Sequence, residues 1–132
     1  MRVLVDSSVW SLTLRKGGPA DHPAVVKLAR LLADGEDVFL CGIVLQEVLQ
    51  AFRSEAVFKR VWELLSPFRL LLTERADHVS AARIHRECAS KGVTAGTVDC
   101  LIAHMAIRHD CLLLTGDQDF TFISKCCPLQ LM

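Results

Sequence analysis

Five acidic residues in this 132-residue chain fall where a carboxylate can do more than solvate a surface. Asp6 ends the apolar run RVLV, Asp99 opens an apolar stretch, and Asp117 follows the run Cys111–Thr115 after one glycine, with Asp119 two residues on. Glu47 stands among Val44, Leu45 and Val48, and no Lys or Arg lies three or four residues away to pair with it. Carboxylates brought within a few ångströms of one another repel and raise each other's pKa unless a cation compensates. A hard divalent ion with oxygen ligands is the natural compensation, and Mg²⁺ keeps several positions for water and phosphate. Such an ion holds a phosphate oxygen, lowers the pKa of water and stabilises a leaving oxygen, which is the chemistry of phosphodiester hydrolysis. For any one acid, a turn or helix-dipole role is the simpler reading. Asp6, Glu47, Asp99 and Asp117 taken together favour a site. Asp119 is open between a metal role and closing the turn before Phe120.

The elements that must position these acids alternate between strand-like and helix-like patterns. Residues 2–5 read as a buried strand ending at Asp6, and residues 8–14 as a short helix. Pro23 starts a helix with Val25, Leu28, Ala29 and Leu32 as its apolar stripe and Gly35 past its end. Val38–Cys41 is strand-like, residues 43–52 and 55–65 are helical, and Phe68–Thr73 is strand-like again. A helix is predicted from about Arg75 to Lys91, with Ala81, Ile84 and Cys88 on one face and Gly92 as its stop. Residues 97–109 are apolar almost all round, the mark of a buried helix, with Thr97 as N-cap and Asp99 in the first turn, where the dipole favours an anion. Cys111–Thr115 is a continuous apolar strand, and Leu129–Met132 adds an edge strand. Strands alternating with helices argue for an α/β domain with a mainly parallel sheet covered on both faces. Such sheets bind ligands beyond the carboxyl ends of their strands, where Asp6 and Asp117 fall.

Composition narrows the function further. The chain is 52% hydrophobic with a mean hydropathy of +0.34, which excludes disorder. The opening apolar run is too short for a membrane span and lacks the layout of a signal peptide, so a cytoplasmic location is expected. Six cysteines include no C-x-x-C pair, and four of them sit in apolar stretches as small hydrophobes, which argues against zinc and against a disulfide framework. Fifteen basic and fifteen acidic residues cancel, so any nucleic-acid contact must come from local basic side chains. Arg15, Lys16, Arg53, Arg86 and Lys91 are the candidates, each weighed against an ordinary solvated role. Trp10 and Trp62 could stack on bases but are expected to pack inward. His85 and His104, on otherwise apolar helices, are expected to be structural.

The stretches VLVDSSVW, VLQEVL, TVDCLIAHMA and LLLTGDQDF resemble, in order and spacing, the four motifs of PIN-domain proteins, and more narrowly those of VapC-type toxins of toxin–antitoxin pairs. The resemblance spans nearly the whole chain. It implies one PIN-like domain over residues 1–132, a three-layer α/β/α sandwich with a central parallel sheet, and a ribonuclease dependent on Mg²⁺ or Mn²⁺. By position, Asp6, Glu47 and Asp99 correspond to the family's three core acids, Asp117 to its less regular fourth, and Asp119 to the Asp of a terminal D-F pair. Ser8 matches the hydroxyl residue that supports the metal or its waters, and Thr115 has a similar supporting role. The resemblance also implies a homodimer and inhibition by a cognate VapB-type antitoxin whose C-terminal segment wraps the toxin. The RNA target is not legible.

Other readings of the same acids fare worse. A phosphatase of the haloacid-dehalogenase type needs a second Asp two residues after the first, and Ser8 stands there. A phosphorylated receiver domain needs an Asp after its third strand, where this chain has Thr73-Glu74. A PIN-like module that binds RNA or protein without cleaving is the remaining alternative, although such proteins usually lack an acid and none is missing here.

Overall fold

The computed structural model describes residues 1–132. Four short apolar runs become the strands β1 (Arg2–Val5), β2 (Asp37–Cys41), β3 (Arg69–Leu71) and β4 (Leu112–Leu114). They form one parallel sheet in the order β3-β2-β1-β4, with Val3 opposite Val38 on one side and Leu112 on the other. Successive strand residues point to opposite faces. Val3, Leu4 and Val5 are all fully buried, so both faces of the sheet are covered and the architecture is the three-layer α/β/α sandwich expected.

The covering helices are α1 (Ser7–Leu14), α2 (Pro23–Ala33), α3 (Gly42–Gln50), α4 (Glu55–Leu65), α5 (Arg75–Ser90), α6 (Thr97–Arg108) and α7 (Asp119–Ile123). Their starts follow local chemistry. Pro23 occupies the first turn of α2, where His22 caps by accepting the Ala24 N–H at 3.1 Å. Glu74 and Asp77 form a reciprocal capping box at the head of α5. Gly35 and Gly92, past the ends of α2 and α5, take the left-handed φ of +67° and +74° that stops a helix. Trp10 is buried and meets Phe68 edge-on at 5.1 Å. No helix is long and apolar enough to cross a membrane.

Several expectations are corrected. The buried stripe of α2 is Ala24, Leu28 and Leu31, while Ala29 and Leu32 are exposed. In α4 the inward residues are Val61 and Leu65, one turn apart, which leaves Trp62 rotated outward and 54% exposed. The third strand is shorter than expected, and Leu129–Met132 makes one parallel bridge, Leu131 to Leu113, instead of a strand. The cap of α6 is Gly96, not Thr97, which is already helical. Asp119 begins the five-residue helix α7, too short to leave a periodicity in the sequence.

Candidate metal centre

The chain enters the sheet at β1, in the middle, and the strands to either side run on through separate crossovers. The order therefore switches at the carboxyl ends of β1 and β4, the position where such sheets open a crevice. The Asp6 N–H donates to the Leu114 carbonyl at 2.9 Å and ties the two strand ends together there.

Asp6 is buried and caps α1, whose N-terminal dipole favours a negative charge. Its Oδ1 accepts the Ser7 N–H at 2.8 Å. Its Oδ2 accepts the hydroxyls of Ser8 at 2.8 Å and Thr115 at 2.9 Å. Ser8 and Thr115, expected as supports of the metal or its waters, thus meet Asp6 itself. They also shape the β4 turn, because Ser8 Oγ accepts the Gly116 N–H at 3.1 Å and Thr115 Oγ1 accepts the Asp117 N–H at 3.0 Å.

Glu47 is half-buried on α3, and its partner is a hydroxyl: Ser7 Oγ donates to Oε1 at 3.1 Å and lies 3.4 Å from Asp6 Oδ1. Sequence reasoning passed over Ser7. The only signal was the doubled serine after Asp6, which also suits an ordinary helix start.

Asp99, Asp117 and Asp119 each bring one carboxylate oxygen within 4.8 Å of the other two. The Asp117 side chain also accepts the Asp119 N–H at 2.9 Å, fixing the turn that presents both. Burial pushes Asp99 up to about 6, and the charges of Asp117, Asp6, Asp119 and Glu47 add to it. All five acids singled out in the sequence therefore share one electrostatic field. The Gly96 cap lies directly against this group: a Cβ there would stand 3.4 Å from Asp99 Oδ2, an ordinary contact.

No positive side chain balances that field. The ion pairs of the protein join Met1 to Glu36, Lys91 to Glu87, His104 to Asp77, and Arg108 to Glu74 and Asp77; none reaches the five acids. The neighbouring donors are hydroxyl and carboxylate oxygens, a set suited to Mg²⁺ or Mn²⁺. Cys41 at the start of α3 does not alter this, because burial, with Asp6 and Glu47 contributing, pushes its thiol up to about 11. The residues fit a hard divalent cation.

His104, expected to be structural, is bound to Asp77 on α5 at 2.8 Å. His85 is exposed and makes no hydrogen bond within the chain, contrary to expectation.

Comparison with known proteins agrees with this geometry. The PIN domain family matches residues 3–125. The VapC ribonuclease Mb1587 of Mycobacterium bovis and the ribonuclease VapC11 of Mycobacterium tuberculosis are each 30% identical over 131 residues, covering 97% of this chain and 96% of theirs. VapBC2 of Rickettsia felis, solved bound to a DNA fragment from its promoter, superposes with a TM-score of 0.79 at 20% identity, covering all of this chain and 98% of the other. FitAcB of Neisseria gonorrhoeae gives a TM-score of 0.76 at 22% identity over 98% of this chain and 96% of the other. The chain belongs to the PIN-domain family, among its VapC-type members.

Proposed function

We propose that this chain is a metal-dependent endoribonuclease, the toxin of a toxin–antitoxin pair, and that all of residues 1–132 form one PIN-like domain. The observation that carries the reading is a set of five carboxylates at the strand switch point with no cationic side chain to neutralise them. The names of the mycobacterial relatives, both ribonucleases, support the choice of RNA as substrate.

In this reading Asp6, Glu47, Asp99 and Asp117 hold Mg²⁺ or Mn²⁺, with Asp119 as a further ligand. The bound ion supplies Lewis acidity toward the phosphodiester and a water nucleophile at neutral pH. The protein's own part is preorganisation. Ser8 and Thr115 hold the Asp6 carboxylate from one side while the α1 N-terminus stabilises its charge. Ser7 aligns Glu47 beside it. Asp99 gives up a proton when the ion arrives, so binding releases protons below about pH 6. No histidine is required as general base, and the bonded His104 is committed to Asp77.

A VapB-type antitoxin, a homodimer and a cytoplasmic setting complete the reading. The structural neighbours that are themselves VapBC complexes support the antitoxin. The exposed Trp62, Leu64 and Leu72 offer apolar surface to a protein partner.

The test is incubation of the purified protein with total RNA, with and without Mn²⁺ or Mg²⁺, beside Asp6→Asn. Discrete, metal-dependent cleavage by the wild type alone is expected. A folded, antitoxin-free protein that binds RNA and cleaves none at any metal concentration would instead be a binding module.

A further inference from the structure

The hydrogen-bond donors around the carboxylate centre are spent on the chain itself. Ser8 and Thr115 give their hydroxyl protons to Asp6, and Ser7 gives its own to Glu47. The backbone N–H groups of Gly116, Asp117 and Asp119 donate to Ser8 Oγ, Thr115 Oγ1 and the Asp117 carboxylate. This network offers oxygens and no free donor. Oxygens suit a divalent ion, but a phosphodiester strand lying against them carries charge of its own and needs donors.

His22 stands against the network and keeps one donor free. It is half-buried, directly before α2, and its ring reaches the turn that follows β4. A Cβ on Gly116 would meet two side-chain atoms there, Ser8 Oγ at 3.6 Å and His22 Cε1 at 3.8 Å. The imidazole and the Ser8 hydroxyl thus flank one glycine, the residue before Asp117.

Capping fixes the tautomer. Nδ1 accepts the Ala24 N–H at 3.1 Å, so its lone pair is used and the ring proton resides on Nε2. Nε2 has no partner within the chain and is not enclosed. While it caps α2, the ring has no lone pair left for a metal; it is a fixed N–H donor at the rim of the centre. The contacts from His22 to Asp6 pass through Gly116 and Ser8, so a phosphate that meets Nε2 is a neighbour of the one among the acids.

We propose that His22 is a substrate-binding residue: its Nε2–H donates to a non-bridging oxygen of a phosphate flanking the cut and holds the RNA strand against the carboxylate centre. The inference rests on the ribonuclease reading and adds to it a contact with the strand.

The experiment compares the wild type with His22→Asn, His22→Ser and His22→Ala. Asn and Ser keep an oxygen that caps α2 but place no N–H where Nε2 reaches, and Ala loses both functions. Steady-state cleavage of one short single-stranded RNA, taken from those the wild type cuts in Mn²⁺, is measured beside thermal melting. The same RNA is then made with a neutral methylphosphonate at each flanking phosphate in turn. His22→Asn and His22→Ser are expected to melt with the wild type and to lose about tenfold in kcat/KM, chiefly through KM, as for a hydrogen bond to a charged group. At one flanking position the methylphosphonate should slow the wild type by a similar factor and add little to the loss in either variant.

Full cleavage by His22→Asn and His22→Ser, with His22→Ala alone impaired, would reduce His22 to the cap of α2. Losses that multiply with the methylphosphonate at every position would also overturn the contact, and in both cases the ribonuclease stands. If the two variants melt early, the methylphosphonate pairing still decides, because a folding defect slows cleavage of every RNA alike. A wild type that cuts no RNA brings down the ribonuclease reading and this one with it.

Discussion

Asp77 on α5 and Asp99 on α6 are both acids in the first turn of a helix, and their surroundings drive them in opposite directions. Burial acts on both to raise the pKa. At Asp77 it is overcome: the Glu74 N–H at 2.7 Å, His104 at 2.8 Å and Arg108 at 2.6 Å bring the carboxyl down to about 2. At Asp99 nothing opposes it, and four other carboxylates carry the group up to about 6. The first acid is satisfied by the chain itself and fastens α5 to α6. The second is left for a ligand to satisfy. A buried charge with its partners built in serves the fold, while a perturbed one without them marks a place where something else must bind.

Exchanging the two acids for neutral residues should separate these roles most sharply. Asp99→Asn is expected to reduce cleavage by more than about a hundredfold, since even losing an outer-shell partner of a metal ligand costs 10–100-fold. It should hold or raise the stability of the metal-free protein, because it removes one of five mutually repelling charges. Asp77→Ala should do the reverse. It strands His104 and Arg108 and costs about 3 kcal/mol in urea unfolding, the low end for a broken buried pair because Arg108 is partly solvated. Cleavage per folded molecule should survive. An Asp99→Asn protein that unfolds early yet still cleaves would abolish the distinction.

Acid and base titration of stability should show the same contrast with opposite signs. Asp77 has a folded pKa of about 2, below its ordinary 3.8. Its contribution is complete above about pH 4 and lost as pH falls through 2. Asp99 has a folded pKa of about 6, above the same 3.8, so the metal-free protein loses stability as pH rises from about 4 through 6. Urea midpoints measured across pH 2–7, with chelator and with Mn²⁺, check both limbs. Mn²⁺ should remove the decline between pH 4 and 6, and Asp99→Asn should flatten it without metal. A decline that persists in Asp99→Asn would place its origin elsewhere.

How far the sequence disclosed this arrangement depends on how much of each signal is local. Asp6 and Asp117 are legible because each interrupts or follows a run of strand-forming residues, and Asp99 because it opens a helix apolar almost all round. The fold class follows from the same alternation. The facing of α2 is harder, since eight of its eleven residues are apolar and the stripes Val25-Leu28-Ala29-Leu32 and Ala24-Leu28-Leu31 fit it equally well. Only packing decides between them. Thr97 is the stronger cap by type, yet Gly96 takes the position, with no side-chain hydrogen bond to mark it, and Thr97 is already helical. The side-chain partners of Asp77 lie 27 and 31 residues away, and the Ser7–Glu47 bond spans 40, distances at which no spacing rule applies.

That last bond supports the smallest effect. Ser7 Oγ has one proton and two carboxylate oxygens in reach, Glu47 Oε1 at 3.1 Å and Asp6 Oδ1 at 3.4 Å, so it stands between two acids that otherwise repel and donates to the nearer. Ser7→Ala removes it. Without metal the cost should be modest, about 1 kcal/mol, because water can replace a hydroxyl at a half-buried carboxylate. With metal the loss should be felt in positioning, as a fall of about tenfold in apparent Mn²⁺ affinity, read from melting temperature against Mn²⁺ concentration. Thr replacing Ser7 keeps the hydroxyl and should restore most of that affinity. If Ser7→Ala binds Mn²⁺ as the wild type does, Ser7 is only the first residue of α1. Asp6 and Glu47 would then be aligned by the ion itself, and the contrast with Asp77, whose partners are all supplied by the chain, would become complete.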